Sequence, residues 1–83
     1  MLCNIFKSLK KPDTYVFVEA ESKVDEVLPP TLKPILGILE FSMELEVTPE
    51  RKLARAPATE VLANIEKQGF HLQLPPERPE LAE

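Results

Sequence analysis

Apolar and polar residues alternate without a break over residues 40–47, in the order "EFSMELEV". A period of two is typical of a β-strand that has one face in the core and the other in water. After a turn formed by "TPE", the segment "RKLAR" at residues 51–55 is predicted to return as a neighbouring strand. Pairing Leu45 with Leu53 keeps the apolar side chains together, whereas a shift by one residue would mix the two faces. The pattern therefore predicts an antiparallel hairpin.

A second hairpin is predicted nearer the start of the chain. The segments "LCNIFKS" at residues 2–8 and "TYVFVE" at residues 14–19 are rich in strand-forming residues, and "LKKPD" between them supplies a turn. In the second strand Tyr15 and Phe17 should point to one side of the sheet, and Val16 and Val18 to the other. Because both sides are apolar, we expect this strand in the interior of the sheet.

The segment between the two hairpins is interrupted by prolines. It reads "AESKVDEVLPPTLKPILG" over residues 20–37. Proline is tolerated in the first turn of a helix and breaks its interior. We expect an irregular turn, then one or two helical turns that begin near Pro30. Gly37 should end them as a left-handed cap.

The clearest helical pattern is "PATEVLANIEKQG" at residues 57–69. Pro57 suits the first helical position and Gly69 ends the helix. The apolar residues recur with a spacing of three and four, which predicts an amphipathic helix. The residues of this stripe are Ala58, Val61, Leu62 and Ile65.

The chain then resumes as an alternating strand, "FHLQL" at residues 70–74, which Pro75 and Pro76 should terminate. We expect the apolar residues of this strand to point at the stripe of the preceding helix, and His71 and Gln73 to be less buried. The apolar residues are Phe70, Leu72 and Leu74.

These elements predict an α+β domain. The expected architecture is a mostly antiparallel sheet of about five strands, with one amphipathic helix and one short helical segment packed on it. The predicted single domain covers residues 1–76, and residues 77–83 form a flexible C-terminal tail.

Composition restricts the setting of the domain. The chain has 83 residues, a formal net charge of −4 and a single cysteine, Cys3, which has no partner for an intrachain disulfide. The first eleven residues contain three lysines and no long apolar run, which argues against a signal peptide. No apolar stretch approaches the roughly 20 residues that a membrane-spanning helix needs. We therefore expect a cytoplasmic protein.

The glutamates of residues 40–47 raise the question of a metal site. Hard cations need several oxygens that converge on one ion, usually from a loop. Glu40, Glu44 and Glu46 follow a strand instead, where Lys52 of the predicted neighbour would lie opposite them. We interpret them as a solvated surface and predict no metal or cofactor. With glycines only at positions 37 and 69, a glycine-rich phosphate loop is excluded.

Cys3 and His71 are the residues that could serve as a thiol nucleophile and its base. A cysteine in a terminal strand is more often a small buried hydrophobic residue, and the sequence shows no third group that would activate the pair. No catalytic residue is therefore predicted, and an enzyme that uses Cys3 and His71 is kept as a minor alternative.

Basic residues form two groups that could bind a partner or a nucleic acid. The aromatic residues Tyr15 and Phe17 could add stacking platforms, as in sheet-based binders of single strands. The acidic net charge opposes nucleic-acid binding, and lysines also protect sheet edges from aggregation. The candidate residues are Lys10, Lys11, Arg51, Lys52 and Arg55.

The segments "CNIFKS", "TYVFVE", "RKLARA" and above all "QGFHLQLPP" resemble the YcgL family of small bacterial proteins. The resemblance spans residues 3–76. It departs from the family pattern at Pro57, where the family usually has aspartate, and at His71, where it usually has tyrosine. The resemblance implies an α+β fold and no agreed activity, ligand or cofactor. We therefore expect a non-enzymatic interaction module with an unknown protein partner; the alternative is an RNA-associated accessory protein. The sequence does not predict the oligomeric state.

Overall fold

The computed structural model describes residues 1–53 and 56–75. It is an α+β domain, as predicted, with four strands and three helices in the described residues. Of the predicted features, the tail at residues 77–83, the domain boundary at residue 76 and Arg55 lie outside them. The elements are β1 (Leu2–Ser8), β2 (Tyr15–Glu19), α1 (Val24–Val27), α2 (Lys33–Leu36), β3 (Leu39–Glu46), α3 (Ala58–Gln68) and β4 (Phe70–Gln73).

The four strands form one antiparallel sheet in the order β3-β1-β2-β4. The prediction of about five strands is wrong for residues 51–53, which form no strand. Leu45 pairs with Cys3 of β1, which lies alongside β3, and not with Leu53. Leu53 instead folds over the sheet and packs against the core.

Strand β2 lies between β1 and β4, which confirms its predicted interior position. Val16 and Val18 are fully buried, and Phe17 retains 4% of its exposure. The valines and Phe17 belong to two different hydrophobic clusters, since neighbouring residues of a strand point to opposite faces. Apolar residues on both faces thus place this strand in the middle of the sheet.

The sheet has a covered face on each side. We call one the α3 face, because helix α3 packs there, and the other the α1–α2 face. The buried hydrophobic residues of the α3 face are Cys3, Ile5, Phe17, Val47, Ala58, Val61 and Ile65. Those of the α1–α2 face are Val16, Val18, Leu28, Leu36 and Phe70.

Helix α3 buries one side against the sheet through Ala58, Val61 and Ile65. Pro57 precedes it as the N-terminal cap, with extended backbone angles (φ −63°, ψ 142°). Gly69 ends the helix in the left-handed conformation (φ 94°), where a residue without a side chain is favoured, as predicted.

The proline-rich segment forms two single helical turns. The predicted helix near Pro30 begins three residues later, at Lys33, so that Pro34 falls in its first turn. Gly37 ends α2 with a positive φ of 69°, although its ψ of −145° lies outside the left-handed helical region predicted for it. A Cβ atom at this position would lie 2.9 Å from Cβ of Lys10, so close packing also requires glycine here.

The side chains of strand β4 lie on the faces of the sheet opposite to those predicted. Phe70 pairs with Val18 and Leu72 with Val16, which places both on the α1–α2 face and away from α3. The prediction assumed that apolar residues after α3 must pack on α3, but a second covered face was available to them. His71 therefore points to the α3 face and retains only 5% of its exposure.

Candidate interaction surface

Strand β3 forms an edge of the sheet and exposes apolar side chains. Phe41 is 55% exposed and Met43 49%. The strand pairs with β1 on one side, and within residues 1–53 and 56–75 no backbone group pairs with its other side. A long edge strand with exposed apolar residues is a template for pairing with another chain. The prediction that β3 has one dry face is therefore wrong.

A β-bulge divides β3 near its centre. Ile5 of β1 pairs with Met43, whereas the next residue, Phe6, pairs with Phe41. Ser42 is thus an extra residue that has no partner in β1. Because directly paired residues share a face, Met43 lies on the α3 face and Phe41 on the α1–α2 face. The alternation of residue types continues through the bulge, so the pattern did not predict it.

Each face offers an apolar hollow beside this edge. On the α1–α2 face, a groove of about 440 Å³ is lined by residues that include Phe6, Leu28 and Leu36. The ring of Phe41 packs edge-on against that of Phe6, with 5.8 Å between centroids. On the α3 face, a hollow of about 310 Å³ is lined mainly by apolar residues, among them Met43 and Tyr15, and also by Ser42 and Gln73. An added strand would thus find apolar surface on both sides.

The bulge also divides the three glutamates of β3. Glu40 pairs with Lys7 on the α3 face, whereas Glu44 and Glu46 lie on the opposite face, across from Asn4 and Leu2. The carboxylate of Glu46 binds the N-terminal ammonium of Met1 at 2.9 Å. In the part of the chain that the structure describes, no three of the potential ligands His, Cys, Asp and Glu converge as a metal site would require. The three carboxylates therefore do not form a single row.

The predicted basic residues lie on different parts of the fold. The ammonium of Lys10 donates to the carbonyl of Pro34 at 2.9 Å, which ties this side chain to α2 on the α1–α2 face. The backbone N–H of Lys11 donates to Ser8 Oγ within the β1–β2 turn. Arg51 and Lys52 are exposed on the segment whose Leu53 packs on the α3 face. The structure thus ties Lys10 to the α1–α2 face, whereas Arg51 and Lys52 precede a residue that packs on the α3 face.

The aromatic residues of β2 differ in their exposure. Phe17 is buried on the α3 face, where its ring packs edge-on against His71 with 5.6 Å between centroids. Tyr15 is half-buried at the hairpin end of the strand. A base can stack only on an exposed ring face, so Phe17 is unable to bind one in this conformation.

Cys3 is a buried residue of β1. It has no exposed surface, and its thiol is 3.7 Å from the carbonyl oxygen of Met1. Burial raises the pKa of this thiol, as do the carboxylates of Glu19 and Glu46, while the N-terminal ammonium opposes them. A raised pKa keeps the sulfur in its less reactive thiol form.

His71 is buried at a distance from Cys3. It pairs with Phe17, which in turn pairs with Ile5, two residues from Cys3 along β1. Two strand spacings separate their backbones, roughly 10 Å across the sheet, with a further 7 Å or so along it. The two residues are therefore not placed as a nucleophile and its base.

The imidazole of His71 is held by a neighbour on α3. Asn64 Nδ2 lies 2.9 Å from His71 Nδ1 and donates to it, so the neutral ring carries its proton on Nε2. Burial lowers the pKa of His71, and the nearby carboxylate of Glu60 opposes this shift. The prediction that His71 is less buried is wrong, because its side chain packs against Phe17 of β2 and Asn64 of α3.

Known proteins with the same sequence pattern identify the family. The family model described as the YcgL domain matches residues 3–76. The chain belongs to the YcgL family. This YcgL domain is 47% identical over 77 residues to a YcgL domain-containing protein of Thioalkalivibrio sulfidiphilus, covering 90% of the present chain and 94% of that protein.

Two further relatives cover the whole of this YcgL domain. A protein of Stutzerimonas stutzeri is 42% identical over 83 residues, which are 84% of its own length. One of Mannheimia succiniciproducens is 46% identical over 83 residues, which are 80% of its length. The names of all three state the domain and no activity. No helix among the described residues of the YcgL domain is long and apolar enough to cross a membrane.

Proposed function

We propose that this YcgL domain is a non-enzymatic protein-interaction module that binds its partner along the outer edge of β3. The observation that carries the proposal is the exposure of Phe41 and Met43 on a strand whose outer backbone groups are unpaired in the described residues. Binding by strand addition uses such an edge, with main-chain hydrogen bonds for affinity and side-chain contacts for specificity.

The opposite edge of the sheet differs from β3. Strand β4 has four residues, against eight in β3, and Pro75 follows soon after its end. Short strands and prolines are common means of protecting an edge from pairing. The contrast supports β3 as the edge that binds. The lone thiol of Cys3 further supports a partner in the cytoplasm, where cysteines stay reduced.

The proposal is tested by capture from a native cell lysate on the immobilised domain, followed by direct binding of the recovered protein after its purification. The double variant Phe41→Ser/Met43→Ser should lose both capture and direct binding. The matched control is Leu74→Ser, because Leu74 is 58% exposed but lies beyond β4 at the opposite edge. We expect the control to bind like the wild type.

Nuclease treatment of the lysate separates the alternatives. Under our proposal, capture persists after treatment with nuclease. Capture that disappears with nuclease, and that is unaffected by the Phe41→Ser/Met43→Ser change, would support the RNA-associated alternative and overturn the proposal.

A further inference from the structure

The outer edge of β3 presents polar side chains at both ends of an apolar centre. The two residues on each side of the bulge at Ser42 are in register with β1. Two central apolar residues are flanked by carboxylates, and each face of the sheet receives one residue of each kind. In chain order these are Glu40, Phe41, Met43 and Glu44, and their partners in β1 are Lys7, Phe6, Ile5 and Asn4.

A second copy of the domain is a poor partner for this edge. Antiparallel pairing of two β3 strands about any one of residues 42–44 places Glu40 opposite Glu44 or Glu46, or places Glu44 opposite itself. Pairing about a point between two residues places carboxylates against apolar side chains. Like charges directly opposite one another destabilise a sheet, and two chains of net charge −4 also repel. Pairing about Phe41 avoids opposed carboxylates, since Glu40 then lies opposite Ser42, but the net charges of the two chains still repel. Most registers of this edge therefore disfavour a second copy.

Two carboxylates on this edge are available to a partner. Glu46 is already bound to the N-terminal ammonium. Glu44 is exposed opposite the uncharged Asn4, and Glu40 is exposed with Lys7 opposite it on the inner side. Neither Glu40 nor Glu44 has an ion pair within residues 1–53 and 56–75. A basic side chain on the outer side of each would offset its charge.

We infer that the partner of this edge is an extended protein segment with the pattern basic–apolar–apolar–basic, which pairs with β3 as an additional strand. The inference rests on the proposed function and specifies the chemistry of the partner. The two basic residues lie opposite Glu40 and Glu44, and the two apolar residues lie beside Phe41 and Met43. Because the pattern is the same in both directions, it fits a parallel or an antiparallel strand.

The two apolar positions of the partner lie on opposite faces of the extended sheet. The residue beside Phe41 is next to the aromatic pair of Phe41 and Phe6, at the border of the groove of about 440 Å³. The residue beside Met43 is next to the hollow of about 310 Å³ on the α3 face. Both positions can therefore hold large side chains, which increases the apolar area that binding removes from water.

The test uses blocked eight-residue peptides titrated into the isotope-labelled full-length domain, with amide chemical shifts as the readout. The first peptide has the centre Lys-Val-Phe-Lys between pairs of threonines. A second has Glu-Val-Phe-Glu, and a third has Lys-Lys-Val-Phe, which keeps the composition and charge and changes the order. We expect the first to bind about tenfold more tightly than the second. The first places lysines opposite Glu40 and Glu44, whereas the second places glutamates there, and like charges across a sheet are destabilising. The third should bind several-fold less tightly than the first.

A reversal of charge on the domain sharpens the test. Glu40→Lys/Glu44→Lys should invert the preference, so that Glu-Val-Phe-Glu binds more tightly than Lys-Val-Phe-Lys. The matched control is Glu21→Lys/Glu66→Lys, which makes the same change of net charge at exposed positions away from β3. The control should keep the order of the wild type. Because all four sites are exposed, the amide spectrum of each variant should remain that of a folded domain.

The possible failures differ from those of the proposed function. Equal binding of the three peptides, or binding that shifts amides outside residues 39–46, overturns the basic–apolar–apolar–basic pattern. If lysate capture still depends on Phe41 and Met43, the proposed function stands without it. If the peptides show no preference and lysate capture does not depend on Phe41 and Met43, the pattern and the proposed function are both overturned. If the domain forms a stable dimer whose β3 amides are protected from exchange, the partner of this edge is a second copy and not a separate segment.

Discussion

The two faces of the sheet are covered by different means. On the α3 face, a helix of eleven residues packs against the strands through one side. On the α1–α2 face, two helices of four residues each are separated by a proline-rich loop. A single helical turn is only marginally stable by itself. The α1–α2 face therefore depends on individual side chains that insert into the core, Leu28 and Leu36 above all.

The polar contacts of the two faces differ in the same way. Two side chains tie helix α2 to the end of β1 and to the turn that follows it. Ser8 Oγ donates to the carbonyl of Leu36 at 2.6 Å, and the ammonium of Lys10 donates to that of Pro34. Helix α3 instead makes its own backbone ladder, and the contact of Asn64 with His71 is made from its side. A long helix brings its own order to a face, whereas short turns must be fixed in place by the sheet.

The largest effect expected from this comparison is that of Leu36→Ala. Leu36 retains 2% of its exposure and has no long helix to support its position. Its truncation should reduce the free energy of unfolding by about 2 to 5 kcal/mol. A domain of this size has a total stability of about 5 to 10 kcal/mol. Urea unfolding followed by circular dichroism measures the loss.

The matched control for Leu36→Ala is Leu62→Ala, on the helix that covers the other face. Leu62 is half-buried against the α3 cluster, so its truncation should cost clearly less. If the two changes cost the same, the α1–α2 face does not depend on single side chains in the way proposed above.

The next effect concerns the polar residue of the α3 face. His71→Ala should reduce the free energy of unfolding by about 2 to 3 kcal/mol, because it leaves a cavity beside Phe17 and removes the acceptor of the Asn64 amide. Gln73→Ala, at the next position of β4 on the same face and half-buried, is the control and should cost less than about 1 kcal/mol. Similar losses for both variants would contradict the structural role of His71.

The smallest effect is a dependence of stability on pH. Burial lowers the pKa of His71 in the folded state below its usual value of 6.5, so the unfolded state binds more protons. Stability should therefore be complete above pH 6.5 and decline as the pH falls from there toward the lower folded pKa. As His71 is the sole histidine of the chain, His71→Leu should flatten the melting temperature between about pH 7.5 and pH 5.5. If the melting temperature of the variant still falls between pH 7.5 and pH 5.5, the dependence on pH does not come from His71.

Local patterns predicted the elements of this fold well and their neighbours less well. The strand at residues 2–8, the interior position of Phe17 and the end of α3 at Gly69 depend on residue types close in sequence. The partner of β3 depends on a residue 42 positions away, Cys3, which pairs with Leu45. Adjacent hairpin pairing was the simpler expectation, and it was wrong because residues 51–53 form no strand and Leu53 packs against the core on the α3 face instead.

The candidate site was harder to predict for a related reason. Whether Phe41 is buried depends on what covers the edge of the sheet, which the alternation of β3 does not encode. The predicted basic residues were chosen by charge alone, and Lys10 is used within the fold by its contact with Pro34. The alternation of β4 predicted that His71 is partly exposed. Because both faces of the sheet are covered, the polar residue of this strand is buried as well.

The bulge at Ser42 has a consequence for anyone who edits this gene. Strict alternation from Val47 would place Phe41 on the α3 face. Because of the bulge, Phe41 and the residues before it lie on the faces opposite to those that strict alternation would give them. Deleting the Ser42 codon would restore an unbroken count and, with the pairing to β1 kept on both sides, would leave Phe41 and Met43 on opposite faces as neighbours. Inserting one residue elsewhere in β3 would instead exchange the faces of all the residues on one side of the insertion. Deletion of Ser42 is thus a change of length that we expect to keep every pair between β3 and β1.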